Sequence, residues 1–187
     1  MKRFDRESPV RFVVIFLALF AVFFYFNIFF FSITSHGRHY NAFIDEHFNY
    51  IRLLRHVLLD ISAQIINSLG YMAITNDMEL LVAGHGAIQV VYSCLGLGVM
   101  SFFAAFVIAY PKKLKAKLLF LFLGILCIQL LNILRFVLLA IFWNKKRGSI
   151  IMDHHTIFNI IIYVIIAISI YFWIRHDDKK LVSRAEN

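Results

Sequence analysis

Four long apolar runs, at residues 12–32, 94–110, 118–143 and 155–173, constrain this 187-residue chain more than any other feature. A helix crossing a bilayer needs about 20 largely apolar residues, because each residue advances it by only about 1.5 Å. Residues 12–32 contain no charge at all, and 118–143 contain one, Arg135. With 61% of its residues hydrophobic, the chain exceeds the apolar content of an ordinary soluble domain. The expectation is an all-α polytopic membrane protein with about four transmembrane helices, forming a single membrane-embedded domain over 1–187. A signal peptide is the competing reading of the first run, but its apolar core would be shorter and would end in small residues, which SITSHGRHY does not supply.

The net charge of +8 falls in short basic clusters between the runs, the distribution of orientation signals, and nucleic-acid binding is not expected. An N-terminus in the cytoplasm puts twelve basic residues inside, among them Lys112, Lys113, Lys115 and Lys117, against six outside. This orientation follows the positive-inside rule. It implies a multi-pass protein of the cell (inner) membrane with both termini cytoplasmic, and sets Cys94, the end of the third run and the start of the fourth on the exterior face.

Residues 45–92 between the first two runs read differently. Ile51, Leu54, Leu58, Ile61, Ile65 and Leu69 recur at steps of three and four, while Arg52, Arg55, His56, Asp60, Gln64 and Asn67 fill other faces. The pattern predicts an amphipathic helix over 45–69. Its charges make an interfacial position cheaper than a span, the alternative being a tilted segment buried in protein. Residues 79–82 and 87–92, flanking the glycine-bearing 83–86, predict a short β-hairpin in the aqueous or headgroup layer.

Polar residues inside apolar runs mark the candidate site. Gln129, Asn132 and Arg135 follow one another at steps of three on one strip of the third run. An intramembrane arginine is costly and marks a functional site by default, whereas snorkelling to the nearby interface is its bland explanation. In the fourth run His155, Asn159 and Tyr163 form a second strip, with Asp153 and His154 just ahead. Asn159 and Tyr163 read as interhelical packing contacts. His155 stands at the boundary, where an imidazole can exchange protons. The chain has two cysteines, Cys94 and Cys127, too few for a disulfide framework. Cys127 lies mid-run and reads as packing. Cys94 opens its run, followed by Gly96, Gly98 and Ser101, where a helix N-terminus and a nearby cation favour the thiolate; an inert buried thiol is the alternative. A thiolate, a guanidinium and an imidazole on one membrane face supply a nucleophile, an oxyanion stabiliser and an acid/base for acyl transfer.

Cys94-Leu95-Gly96-Leu97, Asn132-Ile133-Leu134-Arg135 and His155-Thr156-Ile157-Phe158-Asn159 resemble, in order and spacing, the CSGL, NxxR and HxxxG motifs of the exosortase/archaeosortase membrane transpeptidases. The resemblance covers 69–173 and is greatest to the compact, Bacteroidetes-type branch. Two departures stand out: Leu95 replaces the usual serine, shifting the glycine by one place, and Asn159 replaces the final glycine. His154, oriented by Asp153, is the alternative for the histidine.

The resemblance implies a membrane cysteine protease-transpeptidase that cuts C-terminal sorting signals of exported, membrane-tethered proteins at the exterior face. Transfer would be to a lipid or glycan acceptor. Cys94 would be the nucleophile, Arg135 the stabiliser of thiolate or oxyanion, and His155 the acid/base, with Asn132 and Asn159 supporting. No cofactor is implied, and one histidine pair with one cysteine makes no convincing zinc set. Two readings of other classes compete: a small transporter or channel subunit, in which intramembrane Arg and Asn line a path, and a non-catalytic membrane partner protein.

Overall fold

The computed structural model describes residues 7–35, 40–142 and 154–185, with side chains described for 9–35, 40–142 and 158–175. It is a mostly helical membrane protein with one small sheet. Among the described residues, three helices contain stretches long and apolar enough to cross a membrane: Pro9–Thr34, Leu114–Phe142 and Phe158–Arg175. The chain divides into two compact units, Met1–Arg147 and Gly148–Asn187.

In the first unit, α1 (Glu7–Thr34) lies along α4 (Leu97–Ala109). Phe12, Phe16 and Phe20 recur every four residues on α1 and meet Phe102 and Phe106 of α4 edge to face, with centroids 5.3 to 5.9 Å apart. Edge-to-face geometry places ring edges against the negative ring faces and contributes beyond area burial. Polar residues continue the seam. Asn27 of α1 donates to the Ser101 hydroxyl of α4 at 3.1 Å and accepts from the Tyr50 hydroxyl at 2.7 Å.

On its other side α4 meets α5 (Leu114–Phe142). The buried Phe103 ring lies over Gly124, where a Cβ would approach the ring to 2.1 Å. Small residues let helices approach closely in apolar surroundings, and this one forms a slot for a phenyl ring. With 13 residues α4 is shorter than the run at 94–110 suggests: residues 92–95 are a separate 3-10 turn, and the left-handed Gly96 (φ +71°) divides the two.

The expected amphipathic helix is two helices. Asn41 caps α2 (Ala42–Phe48) by accepting from the Ile44 N–H, and Asn49 breaks the run to cap α3 (Tyr50–Ser68), accepting from the Arg52 N–H at 2.8 Å. Such side-chain acceptors satisfy N–H groups that a helix start leaves unpaired. The buried face of α3 is also rotated from the expected one. Ile51, Arg55, Leu58, Leu59, Ser62, Ala63 and Ile66 are buried, whereas Ile61, Ile65 and Leu69 are exposed. Apolar residues cover a wide arc of this helix, so periodicity alone does not select the face that packs on α5.

The hairpin gains a third strand. β1 (Ala73–Thr75), β2 (Glu79–Val82) and β3 (Gly86–Gln89) form an antiparallel sheet in that order, with Ile74 opposite Leu81 and Leu80 opposite Ile88. Asn67, near the end of α3, holds β1 by both donating to the Ala73 carbonyl and accepting from its N–H. At the first turn the Asn76 carboxamide accepts from the N–H groups of Met78 and Glu79, the local bond that favours Asn in turns. Leu80 and Val82 turn inward into a core shared with α3 and α5, which includes Leu58, Ile66 and Phe136. The second unit contains α6 (His154–Ala185), a single helix.

Candidate active site

β3 leads through Val90 and Val91 into the 3-10 turn Tyr92–Leu95, which presents Cys94. The Cys94 N–H donates to the Val91 carbonyl at 2.9 Å, and Tyr92 packs against Phe31 of α1 with ring centroids 4.6 Å apart. The turn is therefore fixed at both ends. Cys94 is not in the first turn of α4, as the sequence suggests, because the left-handed Gly96 ends the 3-10 turn before the helix begins.

The charge beside the thiol comes instead from α5. Arg135 Nη2 lies 3.8 Å from Cys94 Sγ, across 41 residues of sequence, with the two residues only 2% and 7% exposed. Arg135 forms no ion pair with a carboxylate among the described residues, and its Nε and Nη1 are buried without hydrogen-bond partners. A guanidinium buried so incompletely satisfied is expensive, so snorkelling to an interface does not describe it. Nη2 addresses the sulfur, while Nε and Nη1 keep donors to spare.

A polar ladder behind the pair positions the turn. One helical turn before Arg135, Asn132 donates to the Gln129 side-chain oxygen at 3.1 Å and lies 3.5 Å from the Leu95 carbonyl. Gln129 in turn donates to Met100 Sδ at 3.0 Å and reaches the Leu95 carbonyl at 3.4 Å. The strip at 129, 132 and 135 thus contacts the residue after the thiol as well as the thiol.

The model of the transmembrane exosortases (Exosortase_EpsH) matches residues 12–173. The chain belongs to the transmembrane exosortase family. No curated protein and no solved structure matches it. In this exosortase-family chain the cysteine and arginine motifs come together in one unit, through Cys94 and Arg135 with Asn132 beside them. Asn159 is half-buried on α6, and Tyr163 on the same helix is exposed. His154 and His155 lie on the first turn of α6, and their side chains are outside the described ones.

Two other residues depart from expectation. Cys127 is exposed on the surface of α5 rather than packed in the core. Arg55, placed by periodicity on a polar face, is buried. Its spacing from Ile51, Leu58 and Ser62 was the available signal, but the run of Ile51, Leu54, Leu58, Ile61, Ile65 and Leu69 drifts around the helix and centres the expected apolar face elsewhere.

Proposed function

We propose that this protein is a cysteine protease-transpeptidase that cleaves C-terminal sorting signals of exported, membrane-tethered proteins at the exterior membrane face. The observation that carries the reading is the buried Cys94–Arg135 contact, formed by residues of two family motifs. Cys94 passes its thiol proton to His155, and the thiolate Sγ attacks the scissile carbonyl, forming a C–S bond while the carbonyl electron pair moves onto oxygen. Arg135 stabilises the thiolate before attack and the oxyanion after it, a role for which its two unpartnered donors are suited. Collapse of the intermediate breaks the C–N bond, and the departing nitrogen takes a proton from His155. A lipid or glycan nucleophile, deprotonated by the same imidazole, then attacks the thioester; the C–S bond breaks and the Cys94 thiolate leaves. His155 enters through the motif order, with His154 as its alternative and Asn159 as a supporting residue.

The test is co-expression with a reporter carrying a C-terminal motif, an apolar span and a basic tail. Processing should stop in Cys94→Ala and His155→Ala while both proteins accumulate in the membrane. Continued processing by Cys94→Ala would sink the mechanism, and a transporter or partner protein would tolerate loss of the thiol.

A further inference from the structure

The two edges of the sheet differ. On β1 the outward N–H and carbonyl of Ala73 are both taken by the Asn67 carboxamide, and the Thr75 hydroxyl donates to Asp60, so α3 closes that edge. β3 pairs with β2 alone. Antiparallel neighbours alternate between pairs that exchange hydrogen bonds and pairs that direct theirs away from each other. The Val90 N–H donates to the Met78 carbonyl at 2.7 Å, which sets the alternation. Ile88 therefore exchanges bonds with Leu80, whereas Ala87, opposite Leu81, and Gln89, opposite Glu79, direct N–H and carbonyl off the sheet. Among the described residues none supplies these groups with a hydrogen-bond partner, and both residues are exposed.

A free edge invites another strand and is ordinarily guarded by charge, proline or a bulge. Gly86-Ala87-Ile88-Gln89 contains neither charge nor proline. This unguarded edge runs into the nucleophile: Val91 is still extended, and its carbonyl accepts the Cys94 N–H. At about 3.3 Å per extended residue and about 2 Å per 3-10 residue, Gln89 and Cys94 are at most about 13 Å apart, the length of about four extended residues.

We propose that the free edge of β3 is the docking strand for substrate: the extended segment preceding the scissile bond adds to the sheet as a fourth strand, parallel to β3, through the backbone groups of Ala87 and Gln89. The inference rests on the acyl-transfer reading and gives it a means of aligning the peptide. Direction follows from order along the two chains. β3 leads through the Cys94 turn into the apolar α4, and a sorting signal leads through the scissile bond into an apolar span. Parallel pairing keeps both spans on the same side of the thiol, whereas antiparallel pairing sends the substrate span toward the β2–β3 turn. Main-chain bonds supply the binding, which leaves the side chains of the docked segment free to differ.

The experiment is disulfide cross-linking in membranes between the full chain and the sorting-tail reporter. The chain carries Cys94→Ala and Cys127→Ser, with Gln89→Cys as probe, and the reporter carries one cysteine at successive positions ahead of its span. Yield should alternate from one position to the next by roughly fivefold, because alternate side chains of a strand share a face. Moving the probe to Ala87→Cys should shift the maximum by about two residues toward the reporter's N-terminus. Adding Gln89→Pro to that probe removes an outward N–H that the ladder does not use, and should lower the yield about tenfold. The alternation on the unaltered backbone decides the matter if the proline variant misfolds. Absence of cross-links, equal yields at neighbouring positions, a helical period, or a shift toward the span overturns the proposal. Processing by the wild-type chain without alternation removes the docking strand and leaves the mechanism; alternation without processing does the reverse.

Discussion

Asn132 occupies the space that a side chain at Gly96 would need. A Cβ there would lie 2.7 Å from Asn132 Nδ2, and the left-handed φ of +71° is itself unfavourable for other residues. The glycine thus allows the Cys94 turn to close onto the α5 ladder. Gly96→Ala should reduce processing about tenfold or more while leaving the protein in the membrane, and combining it with Asn132→Ala should recover part of the loss. Wild-type processing in the single variant would show that the close approach is dispensable.

Arg135 should not be replaceable by lysine. A lysine keeps the charge but loses the fork that bonds sulfur and retains two further donors. Arg135→Lys should lower reporter processing about 100-fold, the usual scale for loss of an oxyanion donor. Single-turnover formation of the acyl-enzyme, followed by labelling of the reporter, is the measurement, and a rate within a few-fold of wild type would remove Arg135 from the chemistry.

The Phe103–Gly124 slot carries the α4–α5 interface. Gly124→Val should destabilise the protein by about 2 kcal/mol, the range for overfilling a packed interior. The double variant with Phe103→Ala should regain stability relative to Gly124→Val alone. Thermal unfolding in detergent, followed by circular dichroism, compares them.

The Asn27–Tyr50 bond joins α1 to α3, and Tyr50→Phe should cost about 1 kcal/mol. Burial, with Tyr92 as the second cause, pushes the Tyr50 phenol up to about 12. The folded protein therefore holds this proton more tightly than the unfolded chain, whose phenol titrates near about 10. The resulting stabilisation is complete below pH of about 10 and is lost as pH rises through about 12. Melts between those values should fall steeply for wild type and less steeply for Tyr50→Phe; Tyr92, also raised by burial, retains part of the slope.

The long apolar helices and the Gln129-Asn132-Arg135 strip were legible in the sequence, because a spanning segment and a 3.6-residue period leave direct traces in residue order. The contact of Arg135 with Cys94 was expected only through shared depth and motif, since pairing across 41 residues depends on how α4 and α5 pack. Local geometry was less visible. Gly96 ends one turn and begins a helix by its φ angle, which an apolar run conceals. Asn49 splits one amphipathic pattern without interrupting its period. Arg55 was misplaced for a related reason: a helix packed on protein along one face and apolar along the next has no unique polar side.

The shortness of α4 has a consequence for depth. Thirteen residues rise about 20 Å, whereas the hydrocarbon layer is about 30 Å thick. With Lys112, Lys113, Lys115 and Lys117 held in one headgroup layer, the far end of α4 stops about 10 Å short of the other, unless the bilayer thins around it. The 3-10 turn with Cys94 continues from that recessed end. On the proposed mechanism, a thioester there would owe its lifetime to which nucleophile gains entry, making the balance between hydrolysis and transfer a matter of access before one of intrinsic reactivity.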